Sequence, residues 1–389
     1  MSLRRTLGVI ALVYVIEGWP IGIRSVWQVY FRDHGVSLAS IGALSVLNLA
    51  WSLKVSWSPL VDRFGERRAW IRGALVTMAG ALAVLAWRSP SPDAVVWIAL
   101  ALFCVASATQ DVAIDAYTIG LVERGREGPA NAVRIPAYRI GLLAAGAGLL
   151  LLPGRIGWLA TWSLAALLCL ALGASVFLVP RAEVPREARR DLGPALWRWL
   201  SRPGAREVFL FVFLYRIGDL AMGPMVNPFW VDRGMSHEEI AFVSTTLGMF
   251  ATILGAALGG WLVSRRGIGH ALLVVGILAL ASNFGYALAA ALPASGRPGL
   301  YAASLVESAC SGLAAAGFLA FLMRICEKEH AAVQYAALSA LSMLGGTLIG
   351  ALSGLGVERA GYAFYFAGTA LVGLPALGLL PRARLWLDE

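Results

Sequence analysis

Nine ionisable side chains sit inside stretches of sequence that are otherwise apolar: Glu17, Arg24, Lys54, Asp111, Asp115, Arg139, Arg216, Asp219 and Glu307. A charge in such a setting is costly, and it is kept where it pairs, binds a polar solute or handles a proton. Five of the nine are acids and four are bases, so pairing alone leaves one carboxylate over. A carboxylate without a base in a low dielectric is readily protonated, which suits it to proton coupling. Asp111 and Asp115 are four residues apart and share one helix face, where two like charges repel unless a base such as Arg139 sits between them. Arg216 and Asp219, three apart, can pair along their own helix. Glu17, Arg24 and Gln28 form one stripe. These spacings mark Glu17, Asp111, Asp115 and Asp219 as candidate proton carriers. Glu17, Arg24, Gln28, Asp111, Arg216 and Glu307 are candidate contacts to a polar or anionic solute. The pattern contains no catalytic set.

The elements that position these groups follow from composition. Hydrophobic residues make up 59% of the chain and charged residues 14%, with a mean hydropathy of +0.72. Charge this scarce cannot cover the surface of soluble domains of this size. The apolar runs are long enough for a helix to cross about 30 Å of hydrocarbon. A spanning β-barrel would instead show short alternating segments. The sequence predicts an all-α polytopic membrane protein with spans at Leu7–Phe31, Leu38–Val61, Ala69–Trp87, Val95–Val122, Asn131–Leu152 and Ile156–Val179. A second set covers Val208–Val231, Glu239–Val263, Ala271–Leu292, Leu300–Ile325, Ala332–Val357 and Tyr362–Leu380. Residues 1–180 then form one six-helix bundle and 207–389 another, joined by a basic linker over 181–206.

Arg and Lys fix the expected orientation. With the N-terminus cytoplasmic, 22 of the 32 basic residues fall on the inside and 6 in outside loops. Both termini are therefore expected in the cytoplasm. The net charge of +9 reflects this bias toward short loops at membrane ends and gives no sign of a nucleic-acid partner. Cys104, Cys169, Cys310 and Cys326 fall in or at the ends of spans and read as free thiols. No cofactor is called for: neither lysine stands in a phosphate-binding glycine loop, and the four histidines are scattered away from any HExxH pattern.

The two halves repeat each other. Tyr30-Phe31-Arg32-Asp33-His34-Gly35-Val36-Ser37 aligns with Phe229-Trp230-Val231-Asp232-Arg233-Gly234-Met235-Ser236, an offset of 199 residues. By the same offset, Glu17 is the mate of Arg216. Parallel six-helix repeats about an axis normal to the membrane are the major facilitator plan, with solute held at mid-depth between the halves. On that plan helices one, four, seven and ten line the cavity, and seven of the nine charges lie on them. The stretch Ser58-Pro59-Leu60-Val61-Asp62-Arg63-Phe64-Gly65-Glu66-Arg67-Arg68 resembles the loop between the second and third helices of major facilitators. It makes Asp62, Arg63, Arg67, Arg68 and Arg139 candidate gating residues. A channel lacks the internal duplication, and a non-transporting membrane sensor remains an alternative.

Several motifs in order are similar to the AmpG-type muropeptide permeases: Gln110-Asp111-Val112-Ala113-Ile114-Asp115-Ala116, Tyr138-Arg139-Ile140-Gly141, Tyr215-Arg216-Ile217-Gly218-Asp219, Ser282-Asn283-Phe284-Gly285-Tyr286, Glu307, and Leu338-Ser339-Ala340-Leu341-Ser342. The resemblance implies a monomeric, proton-coupled importer in the bacterial inner membrane, in contact with membrane lipid and working by alternating access. Its substrate would be a small molecule, an anhydromuropeptide used in cell-wall recycling. It also adds Gln110 and Asn283 to the candidate solute contacts. Glu17 and Arg24 stand where the resemblance implies small or hydroxyl residues. Siderophore importers and acetyl-CoA transporters of the same superfamily are therefore alternatives.

Overall fold

A computed structural model of the chain describes residues 2–63, 66–88, 90–91, 93–122, 127–181, 201–326, 331–383 and 385–388. Phe64, Gly65, Arg124, Arg126, most of the expected linker, Lys328 and Arg384 lie outside them, as do the side chains of the expected gating residues Asp62 and Arg63.

The helices are α1 Leu3–Asp33, α2 Leu38–Ala43, α3 Leu49–Arg63, α4 Arg67–Trp87, α5 Ala94–Leu121, α6 Glu127–Leu150 and α7 Pro153–Ser175. The second series is α8 Ala205–Leu214, α9 Ile217–Asp232, α10 Gly248–Arg266, α11 Ile268–Ala291, α12 Gly296–Ile325, α13 Ala331–Val372 and α14 Leu374–Ala383. Among the described residues ten segments are long and apolar enough to cross a membrane. The difference from twelve has two local causes. The apolar helix described on the path from Leu38 to Arg63 is Leu38–Lys54, shorter than a full crossing, and it runs through a 3-10 turn at Leu44–Asn48. The last segment, Ala337–Ala383, runs to 47 residues, which at about 1.5 Å per residue far exceeds one crossing. It changes direction at Gly361, whose φ of 75° and ψ of 163° are open only to glycine. Divided there, and with the interrupted path included, the helices are consistent with twelve spans.

The repeat is visible in the backbone. Gly35 and Gly234, equivalent by the 199 offset, both take positive φ, at 74° and 69°. Each is followed by a serine that caps the next helix: Ser37 accepts from the amide of Ser40, and Ser236 from that of Glu239, both at 3.2 Å. Gly157 repeats the φ and ψ of Gly361, in Arg155-Ile156-Gly157-Trp158 against Arg359-Ala360-Gly361-Tyr362. No side chain but hydrogen permits this turn, so glycine recurs at both places.

The chain divides into two compact units. The first holds Met1–Val36, Leu47–Ala188 and Val231–Ala241; the second holds Ser37–Val46, Arg189–Trp230 and Phe242–Glu389. In the first, α1 and α6 meet backbone to backbone. A Cβ on Gly18 would strike the Tyr138 carbonyl, one on Gly141 the Val15 carbonyl, and one on Gly22 would lie 2.7 Å from the Gly146 amide. In the second, Gly255 and Gly259 of α10 press on the backbone of Ala309 and Leu313 of α12. Gly354 of α13 lies against the backbone of Leu38, and Ala39 donates its amide to Glu358 at 2.9 Å. These are the close small-residue packings that membrane helices use where apolar burial gives no drive to associate. Around α8, Phe211, Tyr215, Phe318 and Phe321 form a buried aromatic core, with Tyr215 stacked on Phe318 at 5.5 Å.

Candidate functional site: two clusters of intramembrane charge

In the first unit α1, α3, α5 and α6 bring one polar cluster together. Lys54 of α3 forms an ion pair with Asp111 of α5. Four residues along α5, Asp115 accepts from Arg134 of α6 and from the Tyr14 hydroxyl of α1, each at 2.9 Å. The Arg134 guanidinium also lies 4.6 Å over the Tyr14 ring. Asp111 and Asp115 therefore take separate bases, Lys54 and Arg134. The expectation of a shared Arg139 is corrected: α5 and α6 run antiparallel, which puts the start of α6 level with Asp115. Arg139 is half-buried, next to Tyr138 on α6.

Glu17 is 9% exposed, and its Oε2 is buried with no hydrogen-bond partner among the described residues. Asp111 lies within hydrogen-bond reach of it. No ion pair engages Glu17 among the described residues. Arg24, two turns further along α1, donates to the side-chain oxygen of Asn48 and sits 4.5 Å over the Trp51 ring. Gln28 is half-buried on the same helix. Gln110 is fully buried, and its Nε2 donates to the Ile16 carbonyl at 2.9 Å, tying α5 to α1, while its Oε1 has no partner among the described residues.

The second unit holds the other cluster. The helical path breaks at Tyr215 and Arg216, between α8 and α9, midway along a crossing segment. Interrupted helices of this kind mark solute sites in transporters. Arg216 interacts electrostatically with both Asp219 and Glu307, and Glu307 with the Ser308 hydroxyl. Arg216 Nε and Asp219 Oδ2 are buried without hydrogen-bond partners among the described residues. Asn283 is fully buried; its Nδ2 donates to Thr369 at 3.1 Å, and its Oδ1 is without a partner among the described residues. Two acids here share one base.

The candidate gating residues are placed in part. Arg68 holds Glu66 and donates to the Val179 carbonyl, and Arg181 reaches Glu66 at 3.5 Å. Arg67 is half-buried beside them. Tyr14, Asn48 and Arg134 belong to the site but were not among the expected residues. The signal for Arg134 lay in the expected fifth span, where it stands close to Asp115 in depth. The signal for Tyr14 was its place one turn before Glu17.

Comparison with known proteins agrees with this architecture. Residues 9–292 match the Major Facilitator Superfamily. The chain is 31% identical to the anhydromuropeptide permease of Escherichia coli (strain K12) over 388 residues, covering 96% of this chain and 78% of that one. It is 28% identical to the protein named AmpG 4 of Rickettsia conorii (strain ATCC VR-613 / Malish 7), covering 95% and 94%. Its fold is similar to the crystal structure of a bacterial homolog of the human lysosomal transporter Spinster, inward-facing and occupied, with a TM-score of 0.78 at 14% identity over 97% and 96% of the chains. It is also similar to the nucleoside transporter NupG, with a TM-score of 0.75 at 17% identity over the whole of both chains. The chain is a multi-pass membrane transporter that belongs to the Major Facilitator Superfamily and, within it, to the AmpG-type permeases.

Proposed function

We propose that the protein is a proton-coupled importer of anhydromuropeptides in the bacterial inner membrane, working by alternating access with both termini in the cytoplasm. The observation that carries the coupling is the unpaired Glu17 beside the Lys54–Asp111 pair. Protonating Glu17 removes a buried negative charge next to Asp111, so proton loading and the electrostatics of the cavity are linked. Arg216, with Asp219 and Glu307 on either side of its charge balance, is the anion-binding counterpart. Asn283 and Gln110 offer amide oxygens to a polar solute, with Arg24 and Gln28 further along α1. The likeness to the E. coli permease supports a peptide-bearing amino sugar as that solute. Residues 1–180 and 207–389 would act as the two moving halves of a monomer in lipid, with 181–206 as linker. Asp62, Arg63, Arg67, Arg68 and Arg139 would gate the cytoplasmic end.

Proteoliposomes offered labelled anhydromuropeptide, a ferric siderophore and acetyl-CoA side by side test the reading. Accumulation of the anhydromuropeptide alone, collapsing with a protonophore, is expected. Glu17→Gln should lose gradient-driven accumulation and keep exchange. Uptake indifferent to pH and protonophore defeats the coupling, and uptake of a different solute defeats the substrate.

A further inference from the structure

The ends of α1 and α9 that carry the repeated Asp-x-Gly turn are joined by a compact group of charges and rings, all within the first unit. Arg32 donates through Nε and Nη2 to the two oxygens of Asp232, at 2.5 and 2.8 Å. On the next residue, Asp33 Oδ2 lies 2.6 Å from His237 Nε2 and accepts from Trp158 Nε1 at 3.1 Å. Trp158 meets the His237 ring edge-on at 5.5 Å and stacks on Trp162 at 5.7 Å. Tyr30 closes the group, edge-on to both tryptophans at 5.1 and 5.3 Å.

Asp33 and Asp232 are mates in the internal repeat, yet they meet different bases. Asp232 faces a guanidinium, whose charge is permanent in the accessible pH range. Asp33 faces an imidazole, the one side chain that gains and loses charge between about pH 5 and 8. The groups around His237 are Asp33 from α1, the Trp158 ring from α7 and Glu238 in its own turn; His34 packs its ring 6.4 Å from that of Trp158 and holds the Tyr30 carbonyl, and the neighbouring Arg32 and Asp232 neutralise each other. Neutral His237 offers Asp33 one ordinary hydrogen bond. Protonated, it offers a charge-assisted one, roughly twice as strong.

We propose that this group is a proton-sensitive latch on the turn Val231–Ala241, with His237 as its sensor. The turn belongs to residues 207–389 in sequence, but it is held in the first unit through these contacts. Acid tightens the hold and alkali loosens it: the stabilisation is present when His237 is charged and fades as pH rises through its titration. At the end proposed above as extracytoplasmic, an acidic exterior would close the turn down once protons are plentiful. The Arg32–Asp232 pair keeps a residual hold at every pH.

The test needs no transported solute, so it is independent of the muropeptide reading. Spin labels go on Ile156 and Met235, on α7 and on the turn, in a background with the four cysteines replaced, reconstituted in lipid nanodiscs. Inter-label distances are then recorded from about pH 5.5 to about pH 8.5, a range that brackets histidine. The wild type should gain a longer-distance population as pH rises, with a short one kept by the Arg32–Asp232 pair. His237→Gln should give one distribution across the range, and His237→Arg should hold the short distance at the alkaline end. A wild type without pH dependence, a His237→Gln protein that still follows the wild-type curve, or a His237→Arg protein that opens with alkali would each overturn the proposal. Matching elution profiles and unfolding midpoints identify the variants that are folded.

Discussion

The Tyr14 hydroxyl and the Arg134 guanidinium converge on one oxygen of Asp115, each at 2.9 Å, while the guanidinium lies over the phenol ring. Asp115 is thus held on two sides by fixed partners, and Glu17, one turn along α1 from Tyr14, is not.

The first prediction separates the roles of these acids. Tyr14→Phe keeps the ring beneath Arg134 and removes only the hydroxyl, and should cost about 1 kcal/mol of stability with coupling retained. Asp115→Asn should cost more, because it leaves Arg134 without its acid, and adding Arg134→Gln should recover part of the loss. Thermal unfolding of the wild type, Asp115→Asn, Arg134→Gln and the double variant in detergent gives the cycle. A strictly additive double mutant would deny the pairing a stabilising role.

A second prediction concerns Arg216. It stands at the break between α8 and α9 with Nε buried and without a hydrogen-bond partner among the described residues. A planar fork matters there if the solute carries a carboxylate, so Arg216→Lys should raise KM about tenfold, equivalent to roughly 1.4 kcal/mol, with kcat less affected. An unchanged KM would assign Arg216 a purely structural place beside Asp219 and Glu307.

Glycine supplies a third. Gly141→Ala drives a methyl into the Val15 carbonyl, whereas a Cβ on Gly80 meets nothing within 4 Å. The first should destabilise by about 1 to 3 kcal/mol. The second should be neutral or stabilise by up to about 1 kcal/mol, since alanine is the better helix former. Equal effects would show that the α1–α6 contact is not close.

A fourth uses pH. Asp93 caps α5, accepting from the Val96 amide at 2.9 Å, and pairs with Arg88 at 2.7 Å. The amide first, and Arg88 second, hold its carboxyl below the usual carboxylate range. A depressed acid contributes stability above its unfolded pKa and loses it as pH falls through the folded value. Asp93→Ala should therefore lower the unfolding midpoint at neutral pH, and the gap should close in strong acid. A gap that persists there would trace the effect to something other than the charged cap.

Much of this was legible in the residues. Apolar runs gave the helices and the Asp33 and Asp232 turns gave the repeat, whereas the count of five acids to four bases left out Arg134, the base that Asp115 takes. Counting could not say which acid takes which base, because Lys54 and Arg134 choose their partners by depth and helix neighbour, which only packing settles. Arg134 shows the limit well: in sequence it reads as a base at a membrane end, and in three dimensions it reaches Asp115 past Tyr14. The four-residue spacing of close-packed helices stands on both sides of the α1–α6 contact, in Gly18 and Gly22 and in Ala137, Gly141 and Ala145. Gly361 fell in the expected break between Val357 and Tyr362, whereas Gly157 was hidden just inside the expected span Ile156–Val179, where glycine gives no sign of its φ.

Glycine at 18, 22 and 141 has removed the side-chain padding across which packed helices slide. At this depth α1 and α6 are one stiff strut, and Glu17 is rooted in it one residue from the tightest point. A change of charge at Glu17 thus has little local give in which to dissipate. Arg134 and Arg139 stand on the other helix of the same strut, so α6 shares whatever α1 does at this depth.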